Sequence, residues 1–555
     1  MGRSSGIGVP FRVLPESIPD AVSGKKSKEP LKISSLPGSA MSFAAAELSS
    51  KHDGMLLVIT EDTASAERML AETADILGTD ENLLCFPGYE TLPYDSFAPR
   101  QDVISERAEA LYFLRTGKKG VVFAAADTIL QRLPPPEFIV KSSFIIKKGE
   151  ERDPEELRRF LSDSGYLAVE TVMEHGEFSM RGSILDVFPM GAMHPCRIDF
   201  FDTEVDSIRF FDPETQRSDK ESLDGIRILP AREYPTEKDA IERFRIAYRK
   251  LFGASLDEGS VYKAVSEGSF PGGIEYYLPL FFEKTFSVFD YLPENSLVVT
   301  AGDTGAAMEA FLHDTAFRAR TGGDALRPRL APDILYWTKP DISAASARFG
   351  RIMLTALPSD GGDAKAASAA PLPDLAGDGR NFRKLSDFIG AFKGKIILSA
   401  PGEGRLDILD DALRAAGIKA ASERTLRSAL ESSERVVLTA SSLAAGAIFR
   451  GTEETAVITE TELFGSTAQF RKKRKANKDF AAENVVKSLG DLKPGSRVVH
   501  FDHGIGKYLG LETITTDGFS AEYLVIEYAG GSRRYVPVTS LSLVSRYTGA
   551  DNPPL

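Results

Sequence analysis

The first residues with a recognisable chemistry lie at 31–48, where an apolar run, a turn and an Ala-rich helical pattern follow one another. The turn contains Pro37, Gly38 and Ser39, which we call the phosphate-loop turn. A working phosphate loop needs glycines that let backbone N–H groups face phosphate, a lysine for the β- and γ-phosphates, and Ser or Thr for magnesium. An apolar residue stands in place of the lysine, and the sequence contains no Gly-Lys-Ser or Gly-Lys-Thr. We therefore interpret the turn as a structural remnant that binds no cofactor.

Other arrangements of catalytic residues are weak. His500 and His503 form a His-x-x-His pair with Asp502 between them, but no Cys or His follows that could complete a zinc site. We expect a structural or hydrogen-bonding role for this pair. No Gly-x-Ser-x-Gly, His-Glu-x-x-His or Gly-x-Gly-x-x-Gly motif appears on a strand-to-helix turn. The sequence thus predicts no catalytic residue and no metal ligand.

A second group of residues suggests binding rather than catalysis. In the strand-like run CRIDFFD, a period of two places Arg197, Asp199 and Phe201 on one side, opposite apolar side chains. Arg181, in the neighbouring run MRGSILDVF, could add a second cation to the same surface. An exposed aromatic residue beside an arginine is typical of a protein-binding hot spot. Alternation alone leaves a second interpretation equally open, in which Phe201 is buried between two layers.

The C-terminal residues repeat this pattern. In the run LETITTDG, alternation places Ile514 on the polar face unless the strand contains a bulge. The later run EYLVIEYAGGSRRYVPV predicts a hairpin that turns at Gly530 and Gly531. A small barrel with an open edge can bind a partner by adding a strand to that edge. The alternative is a capped edge without a partner.

Apolar patterns divide the chain into units that would position these residues. Short apolar runs alternate with helical stretches near the start, which predicts a parallel sheet covered on both faces, and period-two runs then predict an antiparallel α+β insertion. The predicted fold is multi-domain α/β and α+β: a degenerate helicase-type α/β domain with this insertion, a small α/β domain and a C-terminal Tudor/SH3-like β-barrel. The expected boundaries are 27–138 and 231–350 for the two parts of the first domain, 139–230 for the insertion, 351–380 for a linker, 381–466 for the small α/β domain, 467–488 for a basic linker and 489–549 for the barrel.

Composition limits the possible partners and locations. The net charge of −13 argues against a chain built mainly to neutralise phosphates. The basic run at 471–475 could touch nucleic acid, but it lacks interleaved aromatics, and we interpret it as a solvated linker. Only two cysteines, Cys85 and Cys196, are present and lie far apart, as in proteins of a reducing cytoplasm. No export signal and no membrane span are predicted.

Long ordered motifs connect the sequence to a known family. The sequence resembles the N-terminal half of bacterial transcription-repair coupling factors (Mfd) in five runs: FPGYETLPYDSFAPRQDVISERAEALYFL, EHGEFSMRGSILDVFPMG, CRIDFFDTEVDSIRFFD, FPGGIEYYLPLFF and VVHFDHGIGKYLGLETI. In that family the first part resembles the excision-repair protein UvrB, with its ATP site and damage-probing hairpin lost. The missing lysine and the direct passage from FPGYETLPYDSF to QDVISERAEAL agree with both losses.

The resemblance implies two partners. The inserted domain is expected to bind UvrA, and the family's two arginines and one phenylalanine fall on Arg181, Arg197 and Phe201. This implication shifts the interpretation of Phe201 towards partner binding. The C-terminal barrel is expected to dock by a sheet edge on the RNA polymerase β subunit, and the family's exposed apolar contact falls on Ile514.

The resemblance also implies what this sequence lacks. In the family an ATP-driven DNA translocase follows the barrel, so we expect ATP, magnesium and most DNA binding to belong to that part, with weak or no DNA binding here. The predicted function is a non-catalytic, cytoplasmic adaptor that brings UvrA to a stalled polymerase. Two alternatives are a UvrB-like ATP-dependent repair enzyme, disfavoured by the missing lysine, and a transcription regulator that acts only through the barrel.

Overall fold

The structure is a computed structural model in which two compact units are distinguished, residues 1–469 and 470–555. In the first unit it describes residues 11–15, 29–254, 257, 259–321, 324–358, 364–376, 382–451 and 454–464. In the second it describes residues 497–500, 504–516, 519–528, 533–537 and 544–546. Each unit is described by itself. The basic run at 471–475, His503 and the expected turn at Gly530 and Gly531 lie outside the described residues.

The described residues form strands and helices with the following bounds. The strands are β1 Leu31–Ser34, β2 Met55–Thr60, β3 Leu83–Phe86, β4 Gly120–Ala125, β5 Phe144–Lys147, β6 Leu167–Ala168, β7 Glu177–Arg181, β8 Ile184–Val187, β9 Cys196–Phe201, β10 Glu204–Phe210, β11 Gly225–Ile228, β12 Leu297–Ala301, β13 Gly350–Leu354, β14 Ala364–Ala366, β15 Ala369–Ala370, β16 Lys395–Ala400, β17 Ala421–Glu423, β18 Val436–Ala440, β19 Ala447–Arg450, β20 Glu454–Thr459, β21 Arg497–His500, β22 Gly504–Thr516, β23 Phe519–Glu527, β24 Arg533–Pro537 and β25 Val544–Arg546. The α-helices are α1 Ala40–Lys51, α2 Thr63–Leu77, α3 Gln101–Thr116, α4 Ala126–Ile129, α5 Pro136–Lys141, α6 Pro154–Asp163, α7 Lys238–Phe252, α8 Val261–Ser266, α9 Thr304–Thr321, α10 Pro332–Leu335, α11 Lys339–Ser346, α12 Arg383–Ala391, α13 Glu403–Ala415, α14 Leu426–Glu431 and α15 Glu460–Phe464. Two 3₁₀ helices span Ile274–Phe281 and Val288–Asp290.

The largest sheet has seven strands in the order β14-β1-β13-β12-β2-β4-β3, and all of its pairs are parallel. Every residue of β2 and β4 is buried. Their sequences MLLVIT and GVVFAA are continuous apolar runs, as expected where helices cover both faces of a parallel sheet. The predicted α/β layer with a parallel sheet is therefore confirmed. Strands β12 and β13 come late in the chain, yet they lie between β1 and β2.

The inserted region, from β5 to β11, contains a five-stranded sheet in the order β10-β9-β8-β7-β6 and a two-stranded sheet of β11 and β5. One face of the larger sheet packs on its own apolar core, to which Phe178, Leu185 and Ile198 contribute. Helix α3 of the first layer adds Ile104 and Ala108 to this core. The inserted region therefore packs against α3.

A fully buried arginine stabilises the contact between the inserted region and the first layer. The guanidinium of Arg107, in α3, donates to Glu233 through Nε (2.5 Å to Oε1) and Nη2 (3.0 Å to Oε2), and through Nη1 to the carbonyl of Pro87 (2.6 Å). It also lies over the rings of Phe86 and Tyr89, 4.6 and 4.0 Å from the centroids. A buried charge must be paired in this way, because an unpaired one would cost several kcal/mol. The pair ties the segment that follows β11, at the C-terminal end of the inserted region, to α3 of the first layer.

The range 351–380, expected to be a linker, differs from that expectation. Strand β13 lies in the middle of the seven-stranded sheet, and β14 pairs with β1 at its edge. Strand β15 pairs with β19 of the next sheet. The Ala- and Gly-rich composition of this range indicated few apolar anchors, but short strands can obtain their stability from backbone pairing with long-range neighbours.

The small α/β region, residues 382–464, contains a six-stranded sheet in the order β15-β19-β20-β16-β18-β17. Its four strands β20, β16, β18 and β17 are parallel. One face has its own core. The other face shares a core with the first layer, in which Phe43 of α1 and Phe449 of β19 pack with ring centroids 4.3 Å apart.

The second unit contains a five-stranded antiparallel sheet in the order β24-β23-β22-β21-β25. Strand β22 is 13 residues long, and its pairing with β23 shifts between Tyr508 and Gly510. This small sheet agrees with the predicted Tudor-like module. Across the described parts of both units, no helix is long and apolar enough to cross a membrane.

Candidate partner-binding surface

Three neighbouring strands bring the predicted binding residues to one face of the inserted sheet. In the antiparallel pairs, Asp186 of β8 lies opposite Arg197 of β9, and Arg181 of β7 lies opposite Ile184 of β8. Because side chains alternate along a strand, Arg181, Asp186, Arg197 and Phe201 all share the face that points away from the core. We call Arg181, Arg197 and Phe201 the arginine–phenylalanine face.

A buried carboxylate organises this face. The side chain of Asp186 is 1% exposed and accepts hydrogen bonds from both arginines. Arg197 donates from Nε to Oδ1 (2.7 Å) and from Nη2 to Oδ2 (2.9 Å), and Arg181 donates from Nη2 to Oδ2 (2.7 Å). A bidentate arginine–carboxylate pair fixes the plane of the guanidinium as well as its position. Asp186 therefore holds two cations side by side.

Three contacts besides the pair with Asp186 hold the guanidinium of Arg197 in place. Its Nη1 donates to the carbonyl of Gln216 (3.3 Å) and to Oγ of Ser218 (3.4 Å), and its guanidinium carbon lies 5.0 Å from the ring centroid of Phe211. The hydrogen bond to Asp186 raises the pKa of Arg197 above its usual range. About a fifth of the Arg197 side chain remains exposed (21%), against 56% for Arg181. The two cations thus present defined, partly exposed donors.

The side chain of Phe201 is exposed to solvent. It is 77% exposed, whereas Phe200, next to it on β9, is 5% exposed and belongs to the core. The chain turns directly after Phe201, and Asp202 adopts a positive φ of 58° in that turn. The interpretation that buried Phe201 between two layers does not describe this structure.

Asp186 and Met173 were not predicted from the sequence. The signal for Asp186 was available, since it is a carboxylate at an alternate position of the otherwise apolar run ILDVF. Met173 is 47% exposed and its sulfur lies 4.0 Å from Nε2 of Gln216, the residue whose carbonyl accepts from Arg197. Met173 belongs to a loop, where no periodicity could indicate which side it faces.

Ile514 lies on β22, opposite Ala521 of β23. Its side chain lies outside the described part of the structure. Among the described strands, β21 pairs with β22 only at residues 504–507, so the stretch around Ile514 is paired on one side only. Among the residues that the structure describes, this stretch of β22 has β23 as its neighbour on one side and no strand on the other.

The phosphate-loop turn has a different environment. Gly38 has a positive φ of 56°, and Ser39 donates from its backbone N–H to the carbonyl of Ala445 (3.1 Å). Oγ of Ser39 and Oγ of Ser42 donate to the fully buried carboxylate of Glu72 at 2.9 and 2.5 Å. The position that would hold phosphate in a working loop is therefore lined by protein carbonyl and carboxylate oxygens.

Among the described residues there is no group of three or more His, Cys, Asp or Glu side chains that could hold a metal ion. His500 lies on β21, where its backbone pairs with β22 and β25. Burial raises the pKa of both Cys85 and Cys196 to about 12, which leaves neither thiol reactive at neutral pH.

Comparisons with known proteins match three separate parts of the chain to family models. Residues 144–234 match the family model described as the UvrB interaction domain, residues 388–463 match the MFD D3 domain, and residues 492–548 match the CarD-like/TRCF RID domain. The first of these matches contains the whole arginine–phenylalanine face. The last contains Ile514.

Curated relatives match along nearly the whole chain. It is 38% identical to a transcription-repair-coupling factor of Haemophilus influenzae over 93% of this chain and 45% of that protein. The corresponding values are 37%, 96% and 46% for the factor of Escherichia coli, and 30%, 94% and 45% for that of Bacillus subtilis. The chain therefore spans about half the length of the curated relatives it matches.

Proposed function

We propose that this chain, which corresponds in sequence to the N-terminal portion of bacterial transcription-repair-coupling factors, is an adaptor that joins a UvrA-binding surface to an RNA-polymerase-binding module. Two binding modules on one chain raise the effective concentration of one partner near the other without new contacts between them. Recruitment of repair proteins to a stalled polymerase would follow from this tethering. We assign the adaptor to the cytoplasm, since its proposed partners act on DNA.

The observation that carries the proposal is the buried Asp186, which holds Arg181 and Arg197 beside the exposed Phe201. Ordered arginines and an aromatic side chain are enriched among hot-spot residues of protein interfaces. Pre-ordering by Asp186 reduces the side-chain entropy that binding would otherwise cost. We propose UvrA as the partner because the match to the UvrB interaction domain covers these residues.

The second contact is proposed at the edge of β22. A partner strand could extend the sheet along the stretch that contains Ile514, with backbone hydrogen bonds for affinity and side-chain pockets for specificity. The match to the CarD-like/TRCF RID domain supports RNA polymerase as that partner, and we propose the β subunit as the contact. ATP hydrolysis and strong DNA binding are proposed to belong to the rest of the longer relatives.

The experiment that tests the UvrA contact is titration calorimetry of the chain with purified UvrA. A triple variant, Arg181→Ala, Arg197→Ala and Phe201→Ala, removes the whole face. Since hot-spot truncations cost roughly 2 kcal/mol or more each, binding of the triple variant should become too weak to measure. A matched control, Arg158→Ala with Phe97→Ala, removes an exposed arginine and an exposed phenylalanine elsewhere.

Circular dichroism of both variants establishes that they remain folded. Wild-type binding that the control keeps and the triple variant loses supports the proposal. Equal binding by all three proteins, or no binding by the wild type, contradicts it. Polymerase binding is tested in parallel with Ile514→Asp, which should weaken capture of the β subunit and leave UvrA binding unchanged.

A further inference from the structure

The phosphate-loop turn is in contact with a segment of the small α/β region, residues 441–446, which we call the clasp segment. The contact runs in both directions. The backbone N–H of Ser39 donates to the carbonyl of Ala445 (3.1 Å), and the backbone N–H of Ala445 donates to Oγ of Ser39 (3.3 Å). Backbone groups that could face phosphate in a nucleotide-binding loop are thus used by the protein itself.

The approach of the two segments leaves no room between them. A Cβ atom added to Gly38 would lie 2.4 Å from the carbonyl oxygen of Gly446 and 3.1 Å from that of Ala445. The positive φ of Gly38 also favours glycine at this position. The glycine of the turn therefore admits a protein backbone in place of a phosphate group.

Glu72 supplies the second part of the contact. Its buried carboxylate accepts from Oγ of Ser39, Oγ of Ser42 and the backbone N–H of Ala444, at 2.9, 2.5 and 2.9 Å. Arg68 lies 3.8 Å away and offsets part of the charge. A phosphate loop places a cation at this location, whereas this chain places a carboxylate, which would repel a phosphate group. The carboxylate of Glu72 thus takes the place that a bound phosphate group would have in a working loop.

Two further features hold the clasp segment in place. Asp75, three residues after Glu72 and therefore on the same side of α2, accepts from the backbone N–H and Oγ of Ser442, both at 2.5 Å. On the other side, the backbone N–H of Gly446 donates to Glu462 (2.9 Å) within the small α/β region. The clasp segment is therefore anchored in both regions.

From these contacts we infer that the small α/β region acts as a built-in ligand of the phosphate-loop turn. It keeps the turn closed to nucleotides and joins the seven-stranded and six-stranded sheets into one cooperative folding unit. Glu72 is the centre of this joint because its hydrogen-bond donors come from both regions. Separation of the regions would remove the Ala444 donor from a buried charge, which is costly. The inference does not depend on either proposed partner.

Hydrogen exchange followed by mass spectrometry of the full chain tests the joint. Glu72→Gln keeps the shape of the side chain but removes its charge and one acceptor. We expect exchange in peptides covering residues 37–43 and 441–447 to become at least about tenfold faster, together and by similar factors, as in a cooperative unit. Peptides covering β8 and β9 serve as an internal reference and should not change.

The matched control is Glu67→Gln, a substitution of an exposed glutamate on the same helix. It should leave exchange in both peptides at the wild-type rate. A change in only one of the two peptides, or in neither, would overturn the inference. If Glu72→Gln does not fold, Ser442→Ala, which removes only the hydroxyl bonded to Asp75, takes its place with the same pair of peptides as the criterion.

Nucleotide binding gives a second, independent readout. Met41→Lys places a lysine directly before Ser42, as in a working loop, while Ala40 remains at the position of the loop's last glycine. Because the clasp segment and Glu72 still occupy the turn, titration with a fluorescent ATP analogue and magnesium should give no binding. Binding by Met41→Lys at ordinary micromolar nucleotide would show that the turn is open and would overturn the inference.

Discussion

Glu72 and Asp186 are both fully buried carboxylates, but they organise opposite kinds of surface. The donors to Glu72 are neutral hydroxyl and backbone groups from two regions of the chain, and all of them are directed inwards. The donors to Asp186 are two guanidinium groups, each of which also reaches solvent. The first arrangement closes the phosphate-loop turn, and the second leaves cations exposed on the face where we propose that a partner binds. A buried carboxylate therefore does not identify a binding site; the exposed part of its donors does.

The physical cause of the difference is the size and charge of the donors. A hydroxyl or backbone N–H has one proton to donate and is consumed by one hydrogen bond. A guanidinium has five N–H donors in a planar fork, so the hydrogen bonds to Asp186 do not use all the donors of an arginine. Substitutions at the two carboxylates should therefore have different consequences for stability and for binding.

The largest effect is expected from Glu72→Ala. It leaves two buried serine hydroxyls and the backbone N–H of Ala444 without their acceptor, and the free energy of unfolding should fall by about 3–5 kcal/mol. Urea denaturation measures this change, and the exposed Glu67→Ala should stay within about 0.5 kcal/mol of wild type. A loss at Glu72 no larger than that at Glu67 would remove the contrast between the two carboxylates.

A smaller effect on stability, combined with an effect on binding, is expected from Asp186→Ala. Because both arginines are partly exposed, water replaces some of their lost contacts, and the free energy of unfolding should fall by only about 2 kcal/mol. Binding to UvrA should weaken at least about tenfold, since the guanidinium groups lose their fixed orientation. Asp186 acts here as a positioning residue.

The conservative variant Asp186→Asn separates these two roles. It retains the volume of the side chain and some hydrogen bonding, so stability should recover more than binding does. Denaturation and calorimetry on the same preparations provide the comparison. Recovery of both properties to the same extent would mean that Asp186 supports the fold without ordering the arginine–phenylalanine face.

Phe201→Ala should affect binding alone. Its side chain is 77% exposed, so removing it should leave the free energy of unfolding within about 0.5 kcal/mol of wild type. As a hot-spot residue it should contribute about 2 kcal/mol to UvrA binding, which is roughly a thirtyfold change in Kd. The control is Phe97→Ala, on an exposed loop outside the inserted region, for which no change in Kd is expected. A measurable loss of stability in Phe201→Ala would contradict its position on an open face.

The smallest effect is expected from Glu275, a third carboxyl group, which has neither the neutral donors of Glu72 nor the guanidinium donors of Asp186. Its Oε2 is buried and has no hydrogen-bond partner among the described residues, and burial raises the pKa of this carboxyl from 4.5 to about 7. A raised pKa means that the folded state holds the proton more tightly than the unfolded state. The contribution of the Glu275 carboxyl to the free energy of unfolding is therefore fully present below about pH 4.5, and it is lost as the pH rises through 7.

Glu275→Gln removes this titration. Thermal unfolding between pH 4.5 and 8 should show a loss of stability in the wild type that exceeds the loss in the variant by about 1 kcal/mol, which is less than the full pKa shift implies because Glu275 is only partly buried and solvent screens its charge. Parallel pH profiles for the wild type and Glu275→Gln would mean that the Glu275 carboxyl is not desolvated.

Much of the fold could be predicted from local sequence patterns. The continuous apolar runs at β2 and β4 indicate strands buried on both faces, and the alternation at β9 correctly separates Phe200 from Phe201. Strands β13, β14 and β15 were not predicted, because they are short and their residues resemble those of a linker. Their stability comes from pairing with β1, β12 and β19, which are distant in sequence.

The candidate site was predictable in part. Arg181, Arg197 and Phe201 were found from alternation together with the family resemblance, and their role in UvrA binding stays a prediction. The function of Asp186 could not be found in this way, because it depends on the register that places β8 opposite both β7 and β9. Register is decided by turns and core packing across several strands.

The sequence by itself determined that the phosphate-loop turn lacks the lysine of a working phosphate loop, because this is a matter of residue identity alone. It also determined which face of β9 would carry Arg197 and Phe201, because side-chain alternation is a local property of a strand. Only the tertiary structure decided that the turn is closed by Ala445 and Glu72. The first of these residues lies more than 400 positions away in the chain, and a hydrogen bond over that separation depends on how two sheets pack rather than on any pattern along the sequence.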